Sequence, residues 1–173
     1  CALPISANAK RNAYYGDLHV HTAYSFDAFA FGTLATPYDA YRYAKGGTIR
    51  HPGGFDMKLR EPLDFYSVTD HAMFLGVMSA ASDTTTEFSK LDHVQELHNL
   101  NAPEKLNTGS IPQRIKAFST FLAQTLSGVT KGDIDVEMVN NITRNAWSDI
   151  IQAAEEFNDP GKFTTFVGYE FTT

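Results

Sequence analysis

Apolar positions along the chain change period several times, and each change predicts an element. Tyr14 to Val20 (YYGDLHV) concentrates aromatic and large apolar residues and reads as a strand. Residues 22–36 mix aromatic and small residues without a period and read as a loop. Thr36-Pro37 is a helix start, with a hydroxyl for the cap and proline at the first helical position. That helix runs to about Lys45, where Gly46-Gly47 stops it, and residues 46–62 read as a long irregular loop. Leu63 to Thr69 (LDFYSVT) is a second strand that ends at Asp70-His71, and alternation puts Phe65 and Tyr66 on opposite faces. Residues 72–82 read as short helix or loop, Glu87 to Leu100 as a polar helix, and 101–110 as loop. Pro112 to Leu126 carries Ile115, Phe118, Phe121, Leu122 and Leu126 near helical spacing. Asn141 to Phe157 carries Ile142, Ala146, Ile150, Ala153, Ala154 and Phe157 along one side. Asn158-Asp159-Pro160-Gly161 is a stop and turn, after which Phe163 to Tyr169 forms a third strand and delivers Glu170.

Strands separated by helices argue an α/β fold with parallel pairing. A closed β/α barrel takes about eight strands and about 250 residues, so three strands are only part of one. The organisation is a tail over residues 1–13 and one domain over 14–173. With 43% hydrophobic and 20% charged residues the chain is a folded protein rather than a disordered one. A net charge of −6 argues against nucleic acid as a partner, which would demand a basic face. No run of about 18 apolar residues exists to span a bilayer. The single cysteine, Cys1, excludes an internal disulfide and a cysteine-based zinc site. A first-position cysteine is also how a mature bacterial lipoprotein begins, which leans the expected location towards the periplasm or envelope.

The candidate chemistry lies at the carboxyl ends of the three strands, where parallel α/β folds build their sites. The first place is Asp17-Leu18-His19-Val20-His21, followed by Ser25 and Asp27. Alternation puts His19 and His21 on one face, where two neutral imidazoles can chelate one zinc, iron or manganese ion. The second is Thr69-Asp70-His71, and the third is Tyr169-Glu170. Taken singly, each has a plainer reading: surface histidines, a helix cap by Asp70, a solvated strand end. Three such places at three strand ends favour a metal site.

The stretches GDLHVHTAYSFDA, FYSVTDHA and FVGYEFT resemble the PHP (polymerase and histidinol phosphatase) superfamily, and more closely its branch of bacterial PHP-like domains of unknown function. The resemblance runs from about Tyr14 to Thr172. It implies a distorted β/α barrel, of which this chain is the N-terminal part, holding two or three divalent ions (zinc, manganese or iron). Carried over, His19, His21, Asp27, His71 and Glu170 are the metal ligands, with Glu170 bridging two ions and Asp70 beside His71 as its partner. Glu170 and Asp70 are the carboxylates the resemblance places nearest the reaction. The superfamily completes its site with further histidines and a late Asp-x-His, yet no histidine follows His98 here. The expectation is therefore an N-terminal piece, inactive alone, whose barrel is completed by further C-terminal sequence or a second polypeptide.

The remaining histidines carry less. His51 lies in a glycine-rich loop and reads as structural; His93 and His98, five apart on a polar helix, read as solvated. The aromatic run from Tyr24 to Tyr43 reads as core and barrel-mouth packing. The expected activity is a metal-dependent hydrolase, of phosphate esters first, acting through metal-bound hydroxide on a small anionic or ester substrate. A sulfate ester, amide or lactone on the same cradle, or an inactive metal-binding module, are the alternatives.

Overall fold

Two parallel ladders tie together segments far apart in the chain. The structure, a computed structural model, describes residues 12–106 and 111–172. Cys1 and most of the expected tail lie outside the described residues. Strand β1 (Gly16–Asp17) pairs with β4 (Phe65–Val68), and β4 pairs with β5 (Thr164–Val167), both in parallel. The sheet order is β1-β4-β5, so the expectation of an α/β fold with parallel pairing holds. Among the described residues the sheet does not close into a barrel.

Alternation along β4 decides which face is covered. Tyr66 and Val68 point into a core shared with α2 (Pro37–Ala44) and α5 (Val136–Phe157), where they meet Tyr41, Ile150 and Ala153. Phe65 points the other way and meets Phe166 of β5, ring centroids 6.3 Å apart. That second face is open: a groove of about 550 Å³ there is lined by Tyr14, Leu18, Phe65 and Phe166 among others. A second core gathers α1 (Phe26–Ala30), α3 (Val77–Ser82) and α4 (Ile111–Lys131) around Phe29, Met78, Phe88 and Phe121.

Helix α2 starts as expected and is capped on both sides. The Thr36 hydroxyl accepts from the Asp39 amide at 3.2 Å, and the Asp39 carboxylate accepts from the Thr36 amide at 3.0 Å. Thr36→Ala removes half of this reciprocal pair and is expected to cost about 1 kcal/mol of stability. Urea denaturation checks this, with Thr36→Ser as the variant that keeps the cap. Helix α5 starts earlier than expected, at Val136, because the Asp135 side chain caps it through the Glu137 amide at 2.9 Å.

Four expectations need correction. Residues 22–36 are not all loop: α1 forms there because Phe26, Phe29 and Ala30 are buried in the core, which outweighs the weak local preference. Residues 46–62 contain a hairpin, β2 (Ile49–Arg50) and β3 (Asp56–Met57), crossed by an Arg50–Asp56 ion pair at 2.8 Å. The polar helix over 87–100 is instead two 3₁₀ turns, Phe88–Lys90 and Asp92–Leu97, separated by extended Leu91. The Gln95 amide there donates to the Ser89 and Leu91 carbonyls, so a side chain bonds backbone groups that a continuous helix would pair among themselves. Finally, α4 buries Arg114, Ala117, Phe121 and Thr125, while Ile115 and Leu126 are half exposed, so its buried face is offset from the expected one. The buried Arg114 guanidinium causes that offset by donating to the carbonyls of Ala30, Leu100 and Lys105 and to Asn101 Oδ1.

No helix among the described residues is long and apolar enough to cross a membrane.

Candidate metal centre

The ladder between β1 and β4 continues past its last formal strand residue and sets the first motif against the second. The Val20 amide donates to Thr69 Oγ1 at 3.0 Å, and the Thr69 amide donates to the Val20 carbonyl at 2.8 Å. One residue beyond Thr69, the Asp70 carboxylate accepts from both the backbone amide and the hydroxyl of Thr22, the hydroxyl at 2.6 Å. Thr22, Ser25 and Asp70 are completely buried. The third motif joins through a parallel bridge between His71 and Glu170, with the Glu170 amide on the Asp70 carbonyl and the Ala72 amide on the Glu170 carbonyl, both at 3.0 Å. Three segments distant in sequence thus meet through backbone bonds, and their side chains project to one place.

There the structure brings together all five residues expected to bind metal. His19 Nε2 and His21 Nε2 lie 3.1 and 2.7 Å from Glu170 Oε2. On its other side, His21 Nδ1 lies 3.1 Å from Asp27 Oδ2, and His71 Nε2 lies 3.7 Å from the same oxygen. The donor atoms form two sets, His19–His21–Glu170 and His21–Asp27–His71, each within 4.8 Å, and His21 belongs to both. The rings of His19 and His21 are 5.1 Å apart, as residues on one side of an extended segment should be.

One atom in this cluster is left without a partner. His21 Nε2 is buried and makes no hydrogen bond, although Glu170 Oε2 is only 2.7 Å away. The 2.7 Å separation is that of an ion pair, but the contact is not a hydrogen bond, which needs the N–H aimed at its acceptor. A ring nitrogen and a carboxylate oxygen this close, without a hydrogen bond between them, suit a shared cation. The donor set, imidazole with carboxylate, suits zinc, iron or manganese.

The carboxylates are held ionised. Partial burial pushes the Glu170 carboxyl up, but the His19 hydrogen bond, the nearby His71 and His21 together bring it below the usual range. Asp27 is pushed up by burial and brought down further by the Ser25 hydroxyl at 2.5 Å, the Ala28 amide at 2.6 Å and His21. Asp70 differs: burial dominates and raises its pKa. Both its oxygens face Thr22, so it stands behind the cluster rather than in it.

Sequence reasoning missed two neighbours. Phe26 stacks on the His71 ring, centroids 4.7 Å apart and planes 14° from parallel. Thr172 Oγ1 lies 2.8 Å from His71 Nδ1. Parity was the available signal for Thr172, which lies two residues beyond Glu170 and so shares its face. The other histidines stay outside the cluster. His51 Nδ1 accepts from the Gly53 amide at 2.9 Å and stacks on Phe55. His93 and His98 are half-buried rather than solvated: His93 meets Thr125 Oγ1 at 3.3 Å, and His98 meets the Ser89 carbonyl at 2.8 Å.

Residues 8–173 match the model of a family described as "Protein of unknown function (DUF3604)". No curated protein and no solved structure matches the chain.

Proposed function

The chain belongs to the DUF3604 family of proteins of unknown function, and within that family we propose that it forms the metal-holding part of a divalent-ion-dependent hydrolase, acting on phosphate esters. The observation that carries this reading is the unpartnered, buried His21 Nε2 pressed against Glu170 Oε2, with a second imidazole on the same oxygen. His19, His21 and Glu170 would hold one ion; Asp27 and His71 would help hold another. An ion in such a site supplies Lewis acidity: it polarises an ester oxygen and acidifies water. The residues of the chain do the rest. Glu170 and Asp27 enter ionised and offset the charge of the cations. Thr22, Ser25 and Asp70 fix the loop that carries the ligands, so little reorganisation accompanies binding. Phe26 closes one face of His71 to water. The preference for phosphate esters comes from the likeness of the three motifs to the PHP superfamily.

That likeness also supports a larger barrel. Among the described residues the sheet is open at β1 and β5, and Phe166, Tyr169 and Phe171 are exposed along β5 and the segment that follows it. Further polypeptide continuing the sheet would cover these side chains and add donors to the ions.

The test is elemental analysis of protein purified without chelator, followed by a panel of chromogenic phosphate, sulfate and amide substrates. Bound zinc, manganese or iron in this chain is the expected result, with phosphate-ester turnover that chelator abolishes and the metal restores expected once the completing polypeptide is present. Protein that takes up none of these metals, even when they are supplied in excess, overturns the reading. Turnover confined to sulfate esters or amides keeps the hydrolase and overturns the substrate class.

A further inference from the structure

We propose that Thr172 is a positioning residue: its hydroxyl accepts the Nδ1 proton of His71 and leaves the Nε2 lone pair of that ring facing Asp27. The inference rests on the proposed metal site for its purpose, but its geometry is independent of any ion. A neutral imidazole carries one proton, and the hydrogen bonds around the ring decide which nitrogen holds it. Thr172 Oγ1 is 2.8 Å from Nδ1, well within hydrogen-bonding range. On the opposite side, Asp27 Oδ2 is 3.7 Å from Nε2, too far to accept a proton from it. Glu170 Oε2 is equally far from Nδ1, at 3.7 Å, so Thr172 is the partner that Nδ1 has. The proton therefore belongs on Nδ1, and Nε2 is the free donor.

Two further features hold the ring in that orientation. Phe26, only 4% exposed, stacks on its face at 4.7 Å and resists tilting. The His71 amide donates to Ser25 Oγ at 3.3 Å, which fixes the backbone from which the ring projects. Thr172 itself is delivered by the segment that delivers Glu170. Its backbone is anchored by the His71–Glu170 bridge, and alternation returns the side chain two residues later to the same face. One extended segment thus offers a carboxylate to the ions and a hydroxyl to the ring behind one of them. Such outer hydrogen bonds set the tautomer and basicity of a ligating histidine, and their loss costs roughly 10–100-fold in metal affinity.

The experiment compares wild type, Thr172→Val and Thr172→Ser in the 173-residue chain. The first readout is the long-range ¹H–¹⁵N spectrum of His71 in metal-free protein, at a pH where the ring is neutral. Wild type and Thr172→Ser are expected to show the proton on Nδ1, and Thr172→Val to move the ring towards the Nε2-protonated form. The second readout is zinc affinity by titration, expected to fall roughly 10–100-fold in Thr172→Val and to be restored in Thr172→Ser. An unchanged His71 tautomer in Thr172→Val overturns the proposal. So does a Thr172→Ser variant that behaves like Thr172→Val, because the hydroxyl would then not be the group that acts. If wild type binds no zinc but the tautomer still follows the hydroxyl, the metal reading fails while the positioning role of Thr172 stands.

Discussion

His21→Ala is expected to weaken ion binding at both donor sets, as a lost ligand beside Glu170 in one and a lost partner of Asp27 in the other, whereas His19→Ala and His71→Ala each weaken one. The asymmetry follows from geometry, because His21 is the residue common to the two sets. Its Nε2 meets Glu170 at 2.7 Å and its Nδ1 meets Asp27 at 3.1 Å, so alanine removes the wall between two carboxylates as well as a ligand. Losing an outer partner of a ligand already costs roughly 10–100-fold in affinity; losing the ligand that meets Glu170 should exceed about 100-fold at that set. A mutation that merely damaged the fold would give the same binding result, so the melting temperature separates the two. An ion that binds only the native state adds about 2.7 kcal/mol at a hundredfold excess over its dissociation constant. Wild type should therefore melt higher with zinc or manganese than with chelator, and His21→Ala should rise far less. In chelator His21→Ala should melt somewhat below wild type, since the Nδ1 contact with Asp27 is lost, so the rise on adding the ion, rather than the baseline, is what separates lost binding from a damaged fold. Uptake of ions by His21→Ala at wild-type affinity would remove both donor sets from consideration.

The residues of this cluster were legible in the sequence while much of their scaffold was not. His19, His21, His71 and Glu170 stand at strand ends, and period two was enough to put the first pair on one face. Helix α5 was legible because Ala146, Ile150, Ala153 and Ala154 repeat at helical spacing and are all buried. Helix α4 was legible in place but not in orientation, because a hydrophobic pattern gives no hint that an arginine goes inside. Arg114 does so only where the carbonyls of Ala30, Leu100 and Lys105 converge, and convergence is a tertiary fact. Helix α1 and the turns over 88–97 were hidden for the same reason: packing and side-chain bonds overrode a weak local signal. Asp70 was legible as a neighbour of the site but not in its task. The sequence places it next to His71, whereas its carboxylate reaches 48 residues back to Thr22.

That contact carries the second large effect, a loss of about 2–4 kcal/mol of stability in Asp70→Ala together with a roughly 10–100-fold loss of metal affinity. Asp70 and Thr22 are both fully buried, so alanine leaves the Thr22 amide and hydroxyl without an acceptor and without water. Each stranded donor costs about 1–3 kcal/mol. The affinity falls because Thr22 adjoins His21, and Ser25, three residues on, bonds Asp27 and receives the His71 amide. Freeing residues 22–25 loosens both donor sets at once. Asp70→Asn separates hydrogen bonding from charge. The asparagine carbonyl can still accept from the Thr22 amide, and the Thr22 hydroxyl can rotate to accept from the new NH₂ group. Because burial disfavours the charge on Asp70, the neutral amide also sheds a desolvation cost. Asp70→Asn is therefore expected to lose less than half of what Asp70→Ala loses in urea denaturation, and to keep most of the metal affinity. Equal damage in the two variants would mean that the charge of Asp70, through its field on His21, matters more than its grip on Thr22.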